Sequence, residues 1–359
     1  RLFKPLSFEC GSVMKNRFML APLTNTQSHA DGRLSDDEYY WLTMRAEGGF
    51  AITMTCASHV QAIGQGFPGQ LGCFSDDHLE GLSRLARGIK AEQSLAMVQI
   101  HHAGMRSPHD VIGERPVCPS DNEEYDAREL TADEIEQLKE DFISAAARAQ
   151  AAGFDGVQIH GAHGYVLCQF LSPTINRRTD QYGGSLQNRS RIIFDIVDGI
   201  RDRCGPGFLL SVRLSPERFD LRLGEIIEIA RRLMSEGRID FLDMSLWDCF
   251  KEPVEEAYKG RTLLSYFTGL DRGGVRLGVA GKIYSAADAM RCLDEGVDLV
   301  ILGRAAILQH DFPQQVFSNP DFKPVSPPVS RDYLRAQGLG EAFIDYMARW
   351  DGFVENSTG

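Results

Sequence analysis

The chemistry of this chain concentrates in one stretch, Gln158-Ile159-His160-Gly161-Ala162-His163-Gly164-Tyr165, where two imidazoles and a phenol fall within six positions. Two histidines three apart can hold a metal, but no Asp, Glu or Cys stands nearby as a convincing third ligand. Neutral imidazoles can instead donate paired hydrogen bonds to one carbonyl oxygen, with the phenol as a proton donor alongside. Stacked structural histidines are the plainer alternative. Arg213, inside the apolar run Phe208–Leu214, cannot shed its charge and must meet either a structural carboxylate or a bound anion; we expect the anion. Gly281 and Gly303-Arg304 follow two further apolar runs, where small residues admit a ligand to the backbone and a guanidinium can clamp a phosphate. Gln99 offers an amide suited to the edge of a heterocycle or to an internal hydrogen bond, and Thr24 a hydroxyl that also reads as a capping residue.

These residues need elements that bring them to one place. Apolar runs recur at Arg17–Ala21, Phe50–Thr55, Leu95–His101, Gly156–His160, Phe208–Leu214, Phe241–Ser245, Val275–Ala280 and Leu299–Gly303. Their apolarity is continuous rather than alternating, as in parallel strands buried on both faces. Helical patterns fill the gaps at Asp36–Glu47, Asp76–Glu92, Thr131–Ala152, Asn188–Arg203, Gly224–Glu236 and Ser285–Glu295. Thr131-x-x-Glu134 is a capping box, and glycines 48, 153, 237 and 296 are helix stops. Eight such units predict a single (β/α)8 barrel, irregular in the sixth over 247–270; no G-x-G-x-x-G follows the first strand, which argues against a Rossmann sheet. The candidate residues all lie at the C-terminal ends of predicted strands, where barrels carry their sites. The long loops 102–130 and 161–187 rise from the same face, the first with a polar segment 121–128 that reads as a disordered insertion. We divide the chain into a barrel over residues 1–319 and a Pro-rich linker with a helical tail over 320–359. The tail helix is expected at Arg331–Arg349, packed on its own barrel or on a neighbouring subunit.

Composition removes other classes. A net charge of −12 disfavours nucleic acid and anionic membrane as partners. The eight cysteines are scattered without any C-x-x-C, the pattern of free thiols in a reducing compartment. No long apolar run is present, so a soluble, cytoplasmic protein acting on a small molecule is expected.

The stretch from Ala151-Ala152-Gly153-Phe154-Asp155-Gly156 through His160, His163 and Tyr165 to Phe170-Leu171-Ser172-Pro173 resembles the old yellow enzyme family. So do Asn176-Arg177-Arg178-Thr179-Asp180-Gln181-Tyr182-Gly183-Gly184, Ala21-Pro22-Leu23-Thr24, Gln99 with His102-Ala103-Gly104, and Gly303-Arg304. The resemblance runs from Phe3 to about Val354. It implies a barrel with non-covalent FMN at its C-terminal face and NADH or NADPH as reductant. By the same resemblance Pro22, Leu23 and Ala57 would contact the flavin ring, Thr24 its C4 oxygen, Gln99 its pyrimidine edge and Arg213 its N1 side. Gly281, Gly303 and Arg304 would hold the phosphate. His160 and His163 would bind the oxygen of an activating carbonyl or phenolate, and Tyr165 would donate the proton.

The activity implied is hydride transfer from NAD(P)H, through flavin N5, to the β-carbon of an α,β-unsaturated carbonyl. This chain departs from members that carry Cys at the position of Thr24 and Tyr at that of Thr26, and no Cys follows Arg304, so FMN is expected as the sole flavin. His101, Met105 and Ser215-Pro216-Glu217 are unfamiliar and bear on the substrate wall. Two other readings stay open at this stage: a flavin barrel with altered or lost ene-reductase activity, and a non-redox phosphate-binding barrel using Lys282 or Glu217.

Overall fold

The computed structural model describes residues 1–355; the last four positions of the tail, 356–359, lie outside the described residues. Eight parallel strands close into a barrel in sequence order: β1 (Phe18–Leu20), β2 (Ile52–His59), β3 (Leu95–His101), β4 (Gly156–Gly161), β5 (Leu209–Leu214), β6 (Phe241–Ser245), β7 (Arg276–Ala280) and β8 (Leu299–Leu302). β8 pairs with β1 to complete the ring. The outer helices include α1 (Asp36–Glu47), α2 (Leu79–Ala91), α3 (Ala132–Ala151), α4 (Leu186–Cys204), α5 (Leu223–Glu236), α6 (Ser265–Thr268) and α7 (Ala286–Asp294). Their boundaries follow local chemistry. Thr131 and Glu134 close the expected capping box on α3, Ser35 and Ser285 cap α1 and α7, and Gly237 ends α5 at φ 63°. The sixth unit is irregular as expected, α6 being a single turn.

Alternate residues of each strand face the barrel axis, and this period of two sorts the interior into layers. Met19, Ile52, Met54, Met97, Leu209, Phe241, Leu299 and Ile301 form one apolar cluster. Leu6 and Met14 of the antiparallel pair Leu6–Ser7/Val13–Met14, with Phe8 next to it, join that cluster and plug the N-terminal end. Two residues further along the same strands the inward positions turn polar: Gln99, Gln158, Ser211 and Asp243. Two further still they become His101, His160, Arg213 and Ser245. Strand register keeps the layers level from β3 to β5, with Gln99 opposite Gln158 and His160 opposite Arg213, and steps by two residues between β5 and β6, where Arg213 lies opposite Asp243.

Two expectations need correction. The segment 121–128 is ordered: Asn122 bridges Ala127, and Val117–Cys118 pairs with Arg128–Glu129. The tail is not one helix, because Gly338 at φ 83° breaks it into α8 (Arg331–Ala336) and α9 (Glu341–Ala348). In this chain the tail lies on its own barrel. Phe343 packs edge-on against Trp41 of α1 with ring centroids 4.8 Å apart, and the Gly340 N–H donates to Gln27 Oε1 at 2.9 Å.

Candidate active site

A cleft of ≈ 260 Å³ opens at the C-terminal mouth. Its wall brings together Pro22, Leu23, His163, Arg213, Gly281, Gly303 and Arg304, which the sequence reading singled out from strands one, four, five, seven and eight. Thr24, Ala57, Gln99 and His160 do not lie on that wall. Ala57 and Gln99 stand opposite each other in the β2–β3 register, and His160 stands opposite Arg213. A second cleft of ≈ 320 Å³, lined by Tyr165 and Arg106 among others, shares His163, Ser245, Trp247 and Trp350 with the first. The two clefts therefore meet at His163 and Ser245.

Arg213 is buried, and its expected anion is in part the protein's own. Its Nε lies 3.1 Å from Asp243 Oδ2, an ion pair without hydrogen-bond alignment. Gln158 Nε2 donates to the same carboxylate at 3.1 Å and to Ser211 Oγ at 3.2 Å, and Gln99 Nε2 donates to Gln158 Oε1 at 2.8 Å. Gln99 thus makes the internal hydrogen bond that was one of its two readings. Burial raises the Asp243 carboxyl above its ordinary range, against the pull of Arg213 and Gln158. A lone buried guanidinium would cost several kcal/mol, so this carboxylate is what admits Arg213 to the mouth. The signal was present in the sequence as a single Asp inside the apolar run Phe241–Ser245.

Four aromatic side chains at the ends of strands three and four form one cluster. His160 and His163 stand with ring centroids 5.1 Å apart, nearly perpendicular, and Tyr165 lies 5.2 Å from His160. His101, which the sequence reading left without a role, completes the group at 4.4 Å from Tyr165 and 5.3 Å from His160, with its Nδ1 unpartnered. The His160 Nδ1 accepts from the Ala162 N–H at 3.4 Å, which places the ring proton on Nε2. His163 Nε2 lies 2.8 Å from Ser245 Oγ, and Arg213 Nη2 reaches the same hydroxyl at 3.5 Å. Burial first, and neighbouring cations and imidazoles second, hold His101, His160 and His163 well below the ordinary histidine range, so all three are neutral donors or acceptors. Burial raises the Tyr165 phenol while Arg106, its guanidinium 4.5 Å above the ring, opposes that shift. The phenol keeps its proton, and its hydroxyl has no hydrogen-bond partner among the described residues.

Charge is distributed unevenly along the first cleft. Arg213 is paired with Asp243, and Lys282 with Asp248 at 3.1 Å. Arg304 faces no carboxylate among the described residues; its guanidinium sits between the rings of Trp247, at 5.9 Å, and Tyr284, at 5.4 Å. The two glycines differ. A Cβ on Gly281 would meet the Asp248 and Cys249 amide nitrogens at 2.9 and 3.0 Å, whereas one on Gly303 would find only Leu23 Cδ2 at 3.5 Å. Gly281 lets the loop after β6 close on the end of β7; Gly303 leaves open space toward the cleft. An apolar wall (Ala21, Pro22, Leu23), one uncompensated cation and open backbone suit a flat organic ligand with an anionic end, as FMN is.

Among the described residues nine non-glycine positions have left-handed backbones, and five of them line the clefts: His163, Arg218, Phe219, Trp247 and Lys282. Such conformations cost of order 1 kcal/mol or more each and gather where a site over-determines them. Trp247 and Trp350 escaped the sequence reading because one follows an irregular loop and the other arrives from the tail. No group of three or more His, Cys, Asp or Glu able to hold a metal occurs among the described residues. Lys282 and Glu217, the candidates for non-redox chemistry, are committed to Asp248 and Lys251. No helix among the described residues is long and apolar enough to cross a membrane.

Comparison with known proteins identifies the family and the fold. A family model described as the NADH:flavin oxidoreductase / NADH oxidase family matches residues 1–320. The probable NADH-dependent flavin oxidoreductase YqiG of Bacillus subtilis is 34% identical over 326 residues, covering 88% of this chain and 87% of that protein. The NADH:fumarate oxidoreductase of Klebsiella pneumoniae is 30% identical over 98% of this chain, which spans only 40% of that longer protein. Among solved structures, the old yellow enzyme homologue from Zymomonas mobilis superposes with a TM-score of 0.79 at 29% identity, over 93% of this chain and 96% of that one.

Proposed function

The chain belongs to the NADH:flavin oxidoreductase / NADH oxidase family, binds FMN and is reduced by NADH or NADPH, and from that premise we propose that it reduces an alkene conjugated to a carbonyl. Family membership removes the non-redox reading. The observation that carries the proposal is that, among the described residues, neither His160 Nε2–H nor the Tyr165 hydroxyl has a hydrogen-bond partner, and both belong to one neutral aromatic cluster. Such a pair suits a substrate whose oxygen gains negative charge while a neighbouring carbon needs a proton. The name of one relative, NADH:fumarate oxidoreductase, pairs the same coenzyme with a conjugated alkene.

FMN, when bound, supplies a hydride donor that NAD(P)H regenerates. Pro22, Leu23, Thr24 and Ala57 would bear on its ring, Gln99 on the pyrimidine edge and Arg213 on the side where charge develops. Gly281, Gly303 and Arg304 would hold its phosphate, Arg304 being the cation in that cleft that no carboxylate among the described residues neutralises. His160 and His163 would bind the carbonyl oxygen and favour its charged form over the neutral ground state. A substrate oxygen at His163 competes with Ser245 for Nε2. Tyr165 would deliver the proton to the α-carbon. We assign residues 1–319 to the catalytic barrel and 320–359 to a tail that supplies Trp350 to the cleft wall.

The test is spectroscopic. The purified protein should be yellow, anaerobic NADH or NADPH should bleach it, and 2-cyclohexenone should restore the colour. Bleaching without reoxidation by any enone would reject alkene reduction.

A further inference from the structure

The second cleft, on the substrate side of His163 and Tyr165, has a charge that the protein leaves uncompensated. Glu217 is the one carboxylate on its described wall, and it is bound by Lys251 Nζ and, at 2.8 Å, by the Val254 N–H. Arg106 and Arg218 remain. Neither forms an ion pair with a carboxylate among the described residues: Arg106 donates to the His163 carbonyl and lies over the Tyr165 ring, while Arg218 lies 5.0 Å over Trp247. Arg218 opens three successive left-handed residues, with φ of 70°, 53° and 58° at Arg218, Phe219 and Asp220. This costly turn presents Arg218 and Phe219 to the cleft. The chain as a whole carries −12, so two unpaired guanidiniums beside the reacting cluster are a local reversal of sign.

Resting on the alkene-reductase reading above, we propose that Arg106 and Arg218 select a substrate that carries a carboxylate besides the activated alkene. Arg106 touches both His163 and Tyr165, so the charged group sits within one short acid's length of the groups that bind the carbonyl and supply the proton. The phosphates of NAD(P)H are a second source of anionic charge, but a ribose separates them from the nicotinamide carbon that reacts. A short carboxylate fits the compact arrangement better. Planar, forked guanidiniums are also suited to carboxylate geometry.

The test compares (E)-4-oxo-2-pentenoate with its methyl ester on the FMN-loaded enzyme. The wild type should favour the acid in kcat/KM by about tenfold or more, the worth of one charge-assisted hydrogen bond. Arg218→Gln should lower that acid-over-ester ratio about tenfold, and Arg218→Lys should restore part of it. A readout independent of turnover is binding of 4-hydroxybenzoate against its methyl ester, followed by perturbation of the flavin spectrum, with the same dependence on Arg218. If neither alkene is reduced but the acid still binds more tightly through Arg218, the reductase reading fails and the anion site stands. Equal use of acid and ester, or a ratio untouched in Arg218→Gln and Arg106→Gln, would overturn the proposal. A rise in KM for NADPH alone in these variants would also overturn it, assigning the arginines to the coenzyme phosphate.

Discussion

Arg213 and Asp243 face each other across adjacent strands inside the barrel, 3.1 Å apart from Nε to Oδ2, with Asp243 fully buried. The pair joins the polar layer made by Gln99, Gln158 and Ser211 to the histidine cluster above it. Asp243→Asn keeps the shape and removes the charge that compensates Arg213. The expected loss is about 3 kcal/mol of stability, as for one half of a buried ion pair. Urea titration measures it, and an unchanged midpoint would show that Arg213 does not depend on Asp243.

Gly281 and Gly303 should part company on substitution. Gly281→Ala drives a methyl group into the Asp248 and Cys249 backbone, so it should lower the melting temperature of the protein even without flavin. Gly303→Ala should melt like the wild type as apoprotein and retain FMN less well. Thermal melts with and without FMN check both; a Gly303 variant that retains FMN fully would place the phosphate elsewhere.

Arg304 is the test of the phosphate end. Arg304→Ala should weaken FMN by roughly tenfold or more, the worth of a charge-assisted contact, and weaken riboflavin much less. Equilibrium titration of apoprotein with both flavins gives the comparison. Equal losses would mean that Arg304 shapes the ring site rather than reading the phosphate.

Buried histidines set a pH dependence whose sign is fixed. Burial, helped by His78, depresses His59 to about 3. The unfolded chain takes up a proton near pH 6.5 that the folded one refuses, so stability is full above that pH and falls as acid is added. The slope from His59 is about 1.4 kcal/mol per pH unit, from near pH 6.5 down to about 3. His59→Gln should flatten the urea midpoint between pH 6.5 and 5 relative to the wild type. Parallel curves would contradict the assignment.

The barrel and most of its mouth were legible because each rests on local pattern: continuous apolar runs, caps, and a motif confined to residues 158–165. What escaped reading was contact between distant elements. Asp243 pairs with a residue thirty positions earlier, and only barrel closure and register bring the two together. Ser245 meets His163 for the same reason, and Trp350 arrives from a tail whose path depends on the break at Gly338. Arg213 illustrates the limit: the need for a negative partner was evident, but its identity was not.

The half-reactions of Tyr165→Phe test the central claim most directly. In stopped-flow measurements on the FMN-loaded enzyme, losing a positioned proton donor should slow reoxidation by 2-cyclohexenone about a hundredfold more than reduction by NADPH. Equal slowing of the two half-reactions, or none of reoxidation, would contradict the assignment of Tyr165 as the proton donor to a reduced alkene.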